Sequence, residues 1–169
     1  MGAGKSTVGR LLAAGCGFDF IDCDRELEQR AGASIATMFE LEGEAAFRQR
    51  ESHLLDELTA RPHLVLATGG GVVLSESNRH LLRTRGLVIY LQASVEEITR
   101  RTRGDASRPL LQVDDRQERI EHLLEQRGPL YRQTAQLVFR SAAANPRRLV
   151  ARLLAHPQIA EVIASKPGS

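Results

Sequence analysis

The chain has 169 residues, close to the size of one domain, and its 23 Lys and Arg against 21 Asp and Glu leave a formal net charge of +2. That balance excludes the strong basic field of a dedicated nucleic-acid or membrane-surface binder. Cys16 and Cys23 are too few for a disulfide framework, no apolar run approaches ~18 residues, and no charged-then-apolar leader opens the chain, so a reducing cytoplasm is the expected setting.

Taken in chain order, the pattern predicts a helix over 5–14, a strand over 18–21, a helix over 44–60 and a strand over 64–68. A helix over 76–84, a strand over 87–91, helices over 95–103 and 116–126, a strand over 137–139 and a last helix over 146–155 follow. Alternation of buried strands with helices predicts an α/β fold, a parallel sheet flanked by helices. Ser94 with Glu97 forms a capping box, and Asn145 before Pro146 pairs a cap residue with a first-turn proline. Residues 1–156 are expected to form one domain, with a mobile lid at about 103–116 and a frayed tail over 157–169. The expected oligomeric state is a monomer.

Residues Gly2, Ala3, Gly4, Lys5, Ser6 and Thr7 run straight into the first helical segment, the second half of a Walker A phosphate loop. Glycines let consecutive backbone N–H groups curl around an anion, the helix directs its positive end at it, and Lys5 reaches the β and γ phosphates. The hydroxyl of Ser6 is suited to Mg²⁺. The plain alternative is a glycine-rich turn before an ordinary helix. The first glycine of G-x-x-x-x-G-K-[ST] would lie two residues ahead of Met1, as would the strand that feeds such a loop. Losing about five buried apolar side chains at ~1.5 to 3 kcal/mol each costs roughly 7 to 15 kcal/mol. The expectation is therefore that the natural protein starts upstream and Met1 is internal; a stop codon immediately before Met1 contradicts it.

Asp22 and Asp24 follow the strand over 18–21, at the sheet end where open α/β folds bind ligands, and on an extended segment they would share one side. Arg48 and Glu51 lie one helical turn apart, so Arg48 could fork a carboxylate. Gly69, Gly70 and Gly71 close the strand over 64–68 and permit close approach of backbone to a ligand. Taken singly, Arg48 reads as a surface charge and the aspartates as turn formers. The five histidines show no metal-ligand spacing.

With these motifs in order, the sequence resembles the shikimate kinase family. The resemblance is carried by GAGKST, the D-x-D at Asp22 and Asp24, E-G-E-x-x-F-R ending at Arg48, the triple glycine, R-P-L-L starting at Arg108, and R-x-P-L-Y from Arg127 to Tyr131. It implies a P-loop fold of nucleoside-monophosphate-kinase type with a five-stranded parallel sheet, whose first strand is missing here. It also implies 3-phosphorylation of shikimate by ATP with Mg²⁺, in the route to chorismate and the aromatic amino acids.

The same resemblance places Asp24 on the ring hydroxyls, Arg48 and Arg127 on the carboxylate, and Gly70 in the substrate site. It puts Ser6 on the metal and Asp22 on it through water, and makes Arg108 the lid arginine at the transferring group. Lys5, Asp24 and Arg108 are thus the expected catalytic residues. Arg101 is expected against the adenine and Asn145 near its edge, with Glu51 bracing Arg48 and Phe39 and Phe47 walling the pocket. Alternatives are a gluconate or nucleotide kinase of the same fold, or a catalytically impaired relative that binds without turnover.

Overall fold

The structure, a computed structural model, describes residues 2–102, 115–141 and 145–165. In chain order come α1 (Lys5–Cys16), β1 (Asp19–Asp22), α2 (Cys23–Ala31), α3 (Ile35–Thr59), β2 (Leu64–Ala67), a 3-10 turn (Val72–Leu74), α4 (Glu76–Arg85) and β3 (Ile89–Gln92). They are followed by α5 (Val95–Thr102), α6 (Arg116–Thr134), β4 (Leu137–Arg140), α7 (Pro146–Leu154) and α8 (Pro157–Ala164). Side-chain caps mark most helix starts, because the first N–H groups of a helix lack internal partners. Asp22, Ser34, Ser75, Asp115 and Asn145 each accept a backbone N–H in the first turn of the helix they open. The capping box at Ser94 closes in both directions: Glu97 N donates to Ser94 Oγ, and Ser94 N donates to a Glu97 carboxylate oxygen.

Four expectations are corrected. Asp24 is not on an extended segment; it lies in the first turn of α2, which Asp22 caps. The helix expected over 44–60 begins at Ile35 and passes through a kink at Gly43, whose φ of 80° is outside helical values. The helix expected to end near 126 continues to Thr134 with Pro129 inside it. A proline removes one donor and disturbs one turn, a cost offset by burial of the apolar Ile120 and Leu123 along the same helix. Finally, the expected frayed tail carries α8, opened by Pro157 and anchored by Ile159, which is buried in the main core.

The strands are parallel, but they form two separate pairs. β1 pairs with β2 in the register Asp19–Leu64 to Asp22–Ala67, and β3 pairs with β4 from Ile89–Leu137 to Gln92–Arg140. Among the described residues no strand joins them. The core is divided likewise: one cluster gathers α1, α5, α6, α7 and α8 around β3 and β4, and another packs α2 and α3 on β1 and β2. Between β2 and β3 lies an apolar cavity of about 420 Å³. Folded interiors rarely hold voids much larger than a water molecule.

Candidate active site

The phosphate loop sits at the C-terminal end of the strands. Gly2 and Gly4 have φ of 60° and 78°, left-handed values that glycine adopts without a Cβ penalty, and Gly4 opens α1. Alternating left- and right-handed backbone turns successive N–H groups inward, the geometry of an anion nest. The loop is pinned from behind. Ser141, buried just after β4, donates its hydroxyl to Ala3 O at 2.6 Å, and its own N–H donates to Gln92 O. Arg101 on α5 donates to Gly2 O at 3.1 Å and to Ser141 Oγ and O at 3.1 and 3.0 Å.

Beside the loop, the Ser6 hydroxyl donates to one oxygen of Asp22, and the other accepts from Asp24 N at 3.1 Å. Gly2, Gly4, Lys5, Ser6, Asp22 and Asp24 line one cleft of about 220 Å³, along with Thr68 and Arg101. Cys23, between the aspartates, is buried in the α2 and α3 core, and burial followed by the charges of Asp24 and Asp22 pushes its thiol up to about 12. It stays protonated, leaving the carboxylates as the reactive groups at this strand end.

A second set of side chains meets Asp24 across the glycine run. A Cβ on Gly69 would lie 2.7 Å from Glu51 Oε1 and 2.9 Å from Asp24 Oδ1, and one on Gly71 would run into the Arg48 guanidinium. A side chain at either position would displace the charged groups that press on this stretch of backbone. Arg48 donates to Glu51 at 2.8 Å and to Glu44 at 3.0 Å, and its guanidinium lies 5.3 Å and 5.9 Å from the ring centres of Phe47 and Phe39. Glu51 is 4% exposed. Burial raises its carboxyl above the usual carboxylate range; Arg48 and then Arg127 oppose that shift, while the Asp24 charge adds to it. The α6 residue Arg127 is 8% exposed, and its buried Nε has no hydrogen-bond partner among the described residues.

Tyr131, one turn beyond Arg127 on α6, donates its hydroxyl to Gly70 O at 2.7 Å and stacks on Tyr90 at 5.1 Å between ring centres. Burial raises its phenol, with Arg127 opposing the shift. In the sequence Tyr131 closes the R-x-P-L-Y motif, and its spacing of four from Arg127 on a helix is the signal that links the two, because such residues share a face. Tyr131→Phe removes one buried hydrogen bond of about 0.5 to 1.5 kcal/mol. The expected outcome is an acceptor KM raised about 2- to 10-fold with kcat nearly kept, read by steady-state kinetics.

The structure thus brings together Gly2 to Thr7, Asp22 and Asp24, and, around the glycine run, Arg48, Glu51, Gly70 and Arg127. Phe39 and Phe47 pack at 4.7 Å against the Arg48 side of that group. Arg101 touches the loop and Ser141, and Asn145 caps α7. Arg108 and nearly all of the expected lid lie outside the described residues.

Comparison with known proteins decides the family. The profile described as "SKI: Shikimate kinase" matches residues 1–158. The chain belongs to the shikimate kinase family. A shikimate kinase of Aromatoleum aromaticum is 53% identical over 150 residues, covering 89% of this chain and 86% of that protein. Among solved structures, shikimate kinase from Acinetobacter baumannii in complex with shikimate superposes with a TM-score of 0.90 at 43% identity, covering 99% of this chain and 91% of that one. The shikimate kinase of Bacteroides thetaiotaomicron gives 0.84 at 31% identity over 91% of this chain and 92% of its own. The fold is accordingly that of the P-loop kinases of this family, with parallel strands flanked by helices.

Proposed function

We propose that the chain transfers the γ-phosphoryl group of ATP to the 3-hydroxyl of shikimate, giving 3-phosphoshikimate and ADP on the route to chorismate. The observation that carries this reading is the position of Asp24. Its carboxylate lines the phosphate-loop cleft on one side and meets Gly69 and Glu51 on the other, where Arg48 and Arg127 supply guanidinium groups. A carboxylated acceptor held there presents a hydroxyl between base and phosphate.

Phosphoryl transfer asks the protein mainly for in-line positioning and for cations where charge spreads. The backbone of Gly2 to Thr7 cradles the phosphates, and Lys5 neutralises charge on the β and γ groups. Arg48 and Arg127 fork the acceptor carboxylate, with Gly70 at the ring. The acceptor oxygen bonds to the γ phosphorus as the bond to the β-bridging oxygen breaks, and the hydroxyl proton passes to Asp24. Ser6 and Asp22 offer adjacent hard oxygen donors beside the loop, a set that fits Mg²⁺, which takes few protein ligands and shares phosphate oxygens. When bound, Mg²⁺ supplies charge neutralisation to the phosphates. By the family resemblance Arg108 is assigned to the transferring group and Arg101 to the adenine. In the same reading the protein is a monomer of the cytoplasm, as proposed from the family resemblance. No helix among the described residues is long and apolar enough to cross a membrane.

A coupled ADP-release assay with shikimate, gluconate and nucleoside monophosphates tests the assignment, run on the chain alone and on an N-terminally extended form. The expected kcat/KM favours shikimate by at least about 100-fold, the discrimination that paired buried polar groups give. Preference for gluconate or a nucleotide reassigns the acceptor. Shikimate binding without ADP release identifies an impaired kinase.

A further inference from the structure

Gly4 lines the phosphate cleft, and nothing local fixes which way its N–H points. Glycine takes positive and negative φ at similar cost, so the peptide joining Ala3 to Gly4 can turn over with little strain. A Cβ on Gly4 would meet nothing within 4 Å among the described residues, so packing around Gly4 does not hold that peptide either. The two orientations differ in their chemistry. Across a trans peptide the C=O and N–H point opposite ways, so one orientation offers an anion in the cleft the Gly4 N–H and the other offers it the Ala3 carbonyl oxygen. A carbonyl dipole aimed at phosphate repels it.

Ser141 makes the choice. Its hydroxyl donates to Ala3 O at 2.6 Å on the core side of the loop, where Ala3 is buried. The hydroxyl is itself oriented. Arg101 donates to Ser141 Oγ at 3.1 Å and to Ser141 O at 3.0 Å. A guanidinium has no acceptor, so Oγ accepts in that bond and its one hydrogen is directed to Ala3 O. Ser141 N–H donates to Gln92 O at 2.7 Å, one step beyond the pairing of Gln92 with Arg140, so the hydroxyl is fixed to the end of the sheet. Arg101 also donates to Gly2 O, which ties the preceding peptide to the same group.

We infer that Ser141 is a positioning residue for the nucleotide: oriented by Arg101 and by the end of the sheet, it holds the Ala3–Gly4 peptide with its N–H toward the phosphates. It acts through the loop. The inference rests on the reading that Gly2 to Thr7 cradle the phosphates of ATP, and it adds to them a residue 138 positions away in the chain.

The test measures ADP binding by calorimetry, with steady-state kinetics, on the full chain and on its Ser141→Ala, Ser141→Thr and Thr134→Val forms. Thr134→Val removes another buried hydroxyl, one that donates to Leu130 O ahead of the N-terminal end of β4, whereas Ser141 follows the C-terminal end. Ser141→Ala should raise the Kd of ADP and the KM of ATP by about 10-fold, the weight of one misdirected bond to a charged group, and leave KM for shikimate within about twofold. Ser141→Thr keeps the hydroxyl and should stay within about threefold of the unsubstituted chain. Thr134→Val should leave ADP affinity unchanged, whatever its effect on Tm. An unchanged Kd for ADP in the Ser141→Ala form overturns the inference, as does an equal loss in the Ser141→Thr or Thr134→Val form. Where Ser141→Ala fails to fold, Ser141→Cys replaces it: a thiol of similar size but weaker donor strength should raise the Kd at least about threefold, and an unchanged Kd again overturns the inference. ADP binding does not depend on which acceptor the kinase uses, so a wrong acceptor leaves this test intact. Failure of the unsubstituted chain to bind ADP overturns the phosphate-loop reading and the inference with it.

Discussion

Asp24→Asn lowers kcat by about 10²- to 10⁴-fold, the usual worth of a positioned general base, and leaves KM for shikimate within about threefold. Asparagine matches aspartate in size, and the Asp24 backbone N–H that Asp22 caps is unchanged, so α2 keeps its start. What is lost is the acceptor for the hydroxyl proton and one negative charge beside Glu51 and Cys23. The buried thiol next to it cannot substitute, because its ionisation is pushed up to about 12. Steady-state kinetics with shikimate varied at saturating ATP separates the roles. A raised KM with kcat intact makes Asp24 a binding residue only.

Arg127→Lys raises KM for shikimate by about 10- to 100-fold, the worth of one lost charge-assisted hydrogen bond plus imperfect solvation of the ammonium. The guanidinium lies buried on α6, near Glu51 and Tyr131, and a buried Nε without a hydrogen-bond partner among the described residues is a donor suited to an anion arriving in the pocket. Lysine keeps the charge but presents a single point instead of a planar fork. Because Arg127 also offsets the buried Glu51 carboxylate, Tm is measured alongside; a fall in Tm with unchanged KM assigns Arg127 to structure rather than to the acceptor. Arg48 tolerates this change less cleanly, since its guanidinium also packs on Phe39 and Phe47 and bonds two glutamates.

Elements whose causes are local were legible in the chain. The phosphate loop, the capping box at Ser94, the cap at Asn145 and the four strands each depend on residues within a few positions of one another, so spacing alone located them to within two residues. α2 escaped because only Cys23 and Leu27 of its nine residues are buried, too few to show a helical period. α8 escaped because a short apolar stretch between proline and a polar end carries no clear period either. Pro129 concealed the second half of α6, and with it the relation of Tyr131 to Arg127.

By itself, the order of residues determined which groups this protein has for its chemistry: a lysine and a hydroxyl in a glycine loop, two aspartates after a strand, and arginines suited to anions. Chemistry of that kind resides in residue type and short spacing. Only the tertiary structure decided how these groups meet. Asp24 faces both the loop and the Glu51 side because Asp22 turns the chain into α2. Tyr131 reaches Gly70 across 61 positions of sequence. β2 and β3 stand apart around a cavity of about 420 Å³. Each of these depends on packing between segments far apart in the chain, whose free energy no local pattern records.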